Sequence, residues 1–174
     1  MEVLNYKEFR ITNEMLSSKT KRFLNYIIDL TIFYLMFFVL GALLYLIAEL
    51  TINEDLIYFL DDLDNVNPLL DRLFTAVILV IFYTVLEGFS QKTVGKLITQ
   101  TKVVLEDGEK PPFDVILKRS LSRIIPFEAF SFLGSTARGW HDSISKTYVV
   151  DVKIFDEQKK SHENYLLIGK EADS

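Results

Sequence analysis

Residues 30–48, LTIFYLMFFVLGALLYLIA, carry no charge. A helix of that length reaches about 28 Å, one hydrocarbon thickness of a bilayer. The helices of a soluble bundle keep a polar stripe toward water, and this run has none. It therefore predicts a membrane-spanning helix, with the helix itself starting near residue 23. The first twenty residues are polar and no small-residue cleavage site follows the run, so a cleavable signal peptide does not fit. With 49% apolar residues in 174, the chain holds more apolar surface than a soluble domain of this size buries.

A second run, LFTAVILVIFYTVL, extends to a span over residues 69–89, with Asp71, Arg72 and Glu87 near its ends. Charge fixes the orientation. Lys7, Arg10, Lys19, Lys21 and Arg22 precede the first span, the loop 49–71 holds no Lys or Arg, and thirteen basic residues follow the second span. Basic flanks stay on the cytoplasmic side. The reading is a multi-pass membrane protein with both termini in the cytoplasm and its spans in an antiparallel hairpin. The acidic outer loop, 49–68, contains LIYFL and then Asn67-Pro68, which predicts a short helix stopped by the proline.

After the spans, LITQTKVVL at 97–105 alternates and ends in Glu106-Asp107-Gly108-Glu109, a strand and a tight turn. TYVVDVKIF at 147–155 has the same β-branched character, so the two predict a small two-stranded cytoplasmic sheet. Between them, helix 115–125 places Leu117, Leu121, Ile124 and Ile125 on one face and Lys118, Arg119, Ser122 and Arg123 on the other. That is the pattern of a basic interfacial helix, with Lys118, Arg119 and Arg123 toward anionic lipid headgroups. Pro126 ends it, and the apolar stretch 127–134, which contains Glu128, is too short to span and reads as re-entrant or interfacial. The organisation is an N-terminal cytoplasmic segment 1–20, a membrane domain 21–155 that is mainly helical, and a charged, flexible tail 156–174.

The chain has no cysteine and two histidines, His141 and His162. Disulfides, thiolate chemistry and cysteine-ligated metals are excluded, and a lone histidine in RGWHDSISKT supports no metal site. No G-x-S-x-G or comparable nucleophile element accompanies Arg138, His141 and Asp142, so no catalytic residue, enzyme activity or cofactor is assigned. In QKTVGKL the glycine spacing from Gly88 is wrong for a phosphate loop, and Leu97 stands where Ser or Thr is needed. Thr93, Gly95 and Lys96 read instead as a turn with Gly95 allowing close packing and the lysines facing headgroups. The net charge of −5 argues against nucleic-acid partners.

Arg22 and Asp29 lie seven positions apart on one helical face at the inner boundary of the first span. In a hairpin Glu87 falls at about the depth of Asp29, which predicts a cluster of Arg22, Asp29 and Glu87. Two carboxylates close together in low dielectric would raise one pKa, as a proton or sodium relay requires. The ordinary alternative is an ion pair that fixes helix register.

Three separated stretches resemble the RDD family of bacterial membrane proteins, which takes its name from one arginine and two aspartates. KRFLNYIIDLTI matches its Arg and first Asp, here Arg22 and Asp29. EGFSQKTVGKLITQTKVVLEDG is similar to its Glu, Thr-x-Gly-Lys and following strand, through Glu87, Thr93, Gly95 and Lys96. LKRSLSRIIP with RGWHDSISKTYVV resembles its Arg-containing helix and His-Asp motif, through Arg123, Arg138, His141 and Asp142 as the second aspartate. Members often carry a third apolar span before the His-Asp motif, and here 124–134 is shorter. The resemblance implies a membrane location more than an activity. Two function classes follow. One is a component of ion or proton transport, with Arg22, Asp29 and Glu87 as the relay in a homo-oligomer. The other is an accessory or scaffold protein that binds headgroups or a larger membrane partner.

Overall fold

Ser18 opens the first long helix: its hydroxyl accepts from the Lys21 backbone N–H at 3.3 Å, and α1 (Lys19–Leu50) runs on through the whole uncharged stretch. The computed structural model describes residues 8–133 and 138–172; Lys7, Gly134 and the last two residues of the tail lie outside them. Asn53 caps α2 (Glu54–Asp64) by accepting from Leu56 N–H at 3.0 Å. Asn67 caps α3 (Pro68–Ser90) by accepting from Leu69 N–H at 2.9 Å, with Pro68 in the first turn, where its missing N–H costs nothing. The proline thus starts α3 as well as separating it from α2.

Two helices, α1 and α3, are long and apolar enough to cross a membrane. Only 6% of the most apolar window of α1 and 17% of that of α3 is buried, whereas the core helix of a soluble protein would be mostly covered. Phe38 and Leu50 are each about three-quarters exposed. The two helices meet through the Phe33 and Phe82 rings, 5.6 Å apart and edge to face, and farther along a crevice of about 620 Å³ opens between Phe37 and Phe74.

The chain then departs from the expected strand 97–105. Thr93 caps a one-turn helix, α4 (Val94–Ile98), and the strand β1 covers only Thr101–Val104. β2 (Tyr148–Asp151) pairs with it antiparallel, Thr101 opposite Asp151 and Val104 opposite Tyr148. Alternation along the strands serves two faces: Val103 and Val149 pack on Ile116, and Val104 and Val150 pack on Met15 and Phe155. The N-terminal segment covers the far edge of β2 through a bridge from Leu16 to Val150 and a bond from Ser17 N–H to the Val149 carbonyl. Gly108 (φ 78°) closes the turn after β1, where a Cβ would sit 2.7 Å from the Phe9 ring.

The second expected strand also ends early, because from Val152 the backbone coils into α7 (Val152–Ala172). The segment expected to be a flexible tail is therefore a continuous helix through Ala172. Phe155 anchors it, 2% exposed and edge-on to Phe9 at 5.7 Å. Between the strands lie α5 (Phe113–Ser122), a 3-10 helix over Glu128–Leu133, and α6 (Trp140–Ser145). Among the described residues no third helix is both long and apolar enough to span.

Candidate functional site

α5 is turned the opposite way from the expected one. Its buried residues are Ile116, Arg119, Ser120 and Ser122, whereas Leu117, Leu121, Ile124 and Ile125 are exposed. In a protein whose surroundings are apolar, the polar face of such a helix gains by turning to partners inside, and the apolar face is the one left outward. Arg119, expected at the headgroups, is 0% exposed, and Arg123 is also turned inward; Lys118 alone of the three remains exposed.

Arg119 is the centre of a buried charge cluster. Its Nε donates to Glu87 Oε2 at 2.8 Å, and its Nη1 donates to Asp142 Oδ1 and, at 2.7 Å, to Thr147 Oγ1. Glu87, near the end of α3, also accepts from Lys96 Nζ at 2.9 Å and Arg123 Nη2 at 3.2 Å. Asp142 accepts from Arg22 Nη2 and from the Gly139 N–H at 2.8 Å. The guanidinium of Arg123 lies 4.0 Å from the centre of the Tyr83 ring, a cation–π contact in the same cluster. One carboxylate from α3 and one from α6 are thereby tied to cations from α1, α4 and α5.

The expected triad is redistributed. Arg22 pairs with Asp142 rather than with Asp29. Asp29 Oδ1 instead accepts from the Gly95 N–H at 2.8 Å. The reason lies in the crossing of α1 and α4: a Cβ on Gly95 would fall 2.6 Å from the Asn25 carbonyl oxygen, so only glycine brings its amide that close to α1. Asn25 itself sits 2.5 Å from the Thr99 hydroxyl and 3.0 Å from that of Thr101, which fixes α1 against the start of β1. Glu87 faces three cations, and one of them, Lys96, is attracted to both Glu87 and Asp29. Lys96, expected to face headgroups, is 3% exposed.

His141 is held from both sides. Its Nδ1 meets Glu128 Oε1, its Nε2 lies 3.3 Å from Arg22 Nη2 and 3.3 Å from Asp142 Oδ1, and its backbone N–H donates to Glu128 at 3.3 Å. Arginine only donates, so with a neutral ring Nε2 accepts and Nδ1 carries the hydrogen toward Glu128. Burial lowers the His141 pKa; Asp142 opposes this, and Arg123 and Arg119 add to it. For Glu128, burial would raise the pKa, but the hydrogen bond and charge of His141, with Arg123, bring it down to about 2. Burial likewise works against ionised Asp142, and His141, Arg119 and Arg22 outweigh it, holding the carboxyl well below its usual range. Burial of the Lys96 ammonium lowers its pKa by more than Glu87 raises it.

Arg138 stands at the edge of the cluster. It donates weakly to the Asp142 carbonyl at 3.5 Å and stacks 4.3 Å from the Tyr148 ring centre. Thr93 acts as the cap of α4, accepting from Lys96 N–H at 3.4 Å. Among the described residues no group of three or more acidic or imidazole side chains is arranged to hold a metal ion.

The cluster joins residues from every one of the three separated stretches, and the sequence model of the RDD family matches residues 16–146. The chain belongs to the RDD family. RDD proteins are bacterial membrane proteins, so α1 and α3 are candidate spans of a membrane protein and not of a soluble bundle. Among curated proteins and solved structures nothing matches the chain. In this RDD protein, Arg22 and Asp142 form a direct ion pair, and Asp29 serves a backbone amide. Sequence reasoning passed over Arg119 as the centre and Glu128 as the partner of His141. The signals were present: Ile116, Arg119, Ser120 and Arg123 share one helical face, and Glu128 is a single acid in an apolar stretch that needs a buried cation or donor.

Proposed function

We propose that this RDD protein is a non-transporting accessory or scaffold protein of the bacterial inner membrane, and that the charge cluster is the clamp joining its spans to its cytoplasmic half. In this reading the chain crosses twice as a hairpin, with both termini in the cytoplasm and the loop 49–68 outside. The support is the absence of Lys and Arg from residues 49–71 and the thirteen basic residues after the second span. Exposed Leu117 and Leu121 with Lys118 give α5 a surface suited to the headgroup boundary. The partner is a second copy or a larger membrane complex. No catalytic role is assigned.

The observation that carries the reading is Glu87. It is fully buried, and two of its three cationic donors are guanidiniums, which do not give up protons under physiological conditions. An acid gripped in this way is suited to hold helices together and poorly suited to pass a proton on. The test is proton and sodium flux in proteoliposomes carrying the purified chain, beside Asp29→Asn, with size and thermal stability recorded in detergent. The expected result is no flux above empty vesicles, with the variant less stable. Flux lost in a variant that stays folded would instead establish the second reading, a component of ion or proton transport. The contact that favours this second reading is Glu128 with His141, a pair in the cluster whose two members can both exchange protons.

A further inference from the structure

The charge cluster surrounds a cavity of about 30 Å³, room for a guest of about one water's size and too little for a phosphate or a carboxylate. Four cations line it, Arg22, Lys96, Arg119 and Arg123, against two acids, Asp29 and Glu128, an excess of two positive charges (4 − 2) at its wall. Glu87 and Asp142 are the remaining acids of the cluster, bound to the same cations outside that lining. Arg119 is 0% exposed, and its Nη2 has no hydrogen-bond partner among the described residues; the same holds for Nε of Arg123. A buried guanidinium N–H left without an acceptor is costly, and the cheapest remedy in a positive cavity is an anion.

We propose that this cavity binds one monatomic anion of halide size, taken up together with one proton at His141. The charge count requires the proton. Four cations face four carboxylates, Asp29, Glu87, Glu128 and Asp142, so the cluster is balanced while the imidazole is neutral. An anion alone would leave one buried negative charge uncompensated. His141 lines the same cavity. The groups that face it are Glu128 from the 3-10 helix at Nδ1, Arg22 from α1 and Asp142 from its own helix at Nε2, Arg119 from α5, and Arg123 at the C-cap of α5. Protonation places a hydrogen on Nε2, which turns the ring from accepting from Arg22 to donating to Asp142 Oδ1, 3.3 Å away. Burial, Arg123 and Arg119 disfavour that proton against the pull of Asp142, and an anion among the guanidiniums offsets them. The inference goes beyond the clamp reading and needs no ion to cross the membrane.

The experiment uses the full chain in detergent micelles at fixed ionic strength, exchanging sodium gluconate for sodium chloride or bromide at pH 5.5 and pH 8. The thermal midpoint is expected to rise with halide as one-site binding requires, steeply near the apparent Kd and logarithmically above it, with that Kd tightening by up to about tenfold per pH unit as the pH falls. Bromide added to the weakly buffered protein at pH 6.5 is expected to draw up to one proton per chain from solution. A midpoint that does not change, or that changes in proportion to halide concentration and equally at both pH values, means the cavity holds water only and overturns the site. Saturable binding with no proton uptake and no pH dependence overturns the role of His141. His141→Gln, where it folds, is expected to show at both pH values only the weak halide stabilisation that the wild type shows at pH 8, with no pH dependence and no proton uptake.

Discussion

At the scale of single residues, the cluster is a set of buried charges whose worth lies in their being matched. Replacing one member leaves the others desolvated and unpaired, which costs more than the pair contributes. Glu87→Gln leaves Lys96, Arg119 and Arg123 facing a neutral amide, and is expected to lower unfolding stability by about 3–5 kcal/mol in detergent, read by thermal or denaturant unfolding. Gly95→Ala drives a Cβ into the Asn25 backbone and is expected to cost about 1–3 kcal/mol, whereas Gly41→Ala, which meets nothing within 4 Å, should stay within about 0.5 kcal/mol of wild type. The pH dependence follows from His141 and Glu128. Both pKa values are lower in the folded protein than in the unfolded chain, so the unfolded state binds more protons and stability falls with acid. Loss is expected to start as the pH drops through the ordinary histidine value near 6.5, and a second loss to follow below the ordinary glutamate value of 4.5, as Glu128 approaches its folded value of about 2. Midpoints recorded from pH 8 to pH 4 in halide-free buffer check this; a flat profile across pH 7 to 5 would contradict the assignment of a neutral His141.

At the scale of elements, periodicity located the apolar helices well and the short polar ones poorly. Residues 30–48 have no charge to misplace, and Ser18 and Asn67 with Pro68 mark where α1 and α3 begin. The strands were legible at Thr101–Val104 and Tyr148–Asp151, where β-branched residues alternate. Their extensions were not, because residues 97–98 and 152–155 carry similar side chains while the backbone is coiled into α4 from its Thr93 cap in one case and into α7, with Phe155 packed inside, in the other. The facing of α5 was misread for a different reason. Its two stripes were identified from spacing, but which stripe turns inward depends on whether water, headgroups or other helices lie outside, and a sequence period does not record that. The helix at the C-terminal end yields its own prediction. Phe155→Ala should cost about 3–5 kcal/mol, and backbone amides in the first turn of α7, beside buried Phe155, should exchange more slowly than those near exposed Leu167 and Ile168.

For the whole molecule, the two long helices touch little along their length and are joined where Glu87 of α3 and Arg22 of α1 enter the same cluster through Arg119 and Asp142. The three motif stretches, far apart in sequence, therefore form one object. Their membership in the cluster was legible in part: Arg22, Glu87 and Asp142 were identified as candidates, while the pairing of Arg22 with Asp142 across 120 positions is a tertiary fact that no local spacing contains. A clamp of this kind makes a direct claim about energy coupling across elements. The decisive measurement is a double-mutant cycle on unfolding stability in detergent for Glu87→Gln and Arg119→Met, which sit on different helices. The account predicts that each single variant loses about 3–5 kcal/mol and that the two are coupled by about 2 kcal/mol or more, because the second substitution removes a charge the first left unpaired. Single variants within about 0.5 kcal/mol of wild type, with additive effects, would contradict the clamp.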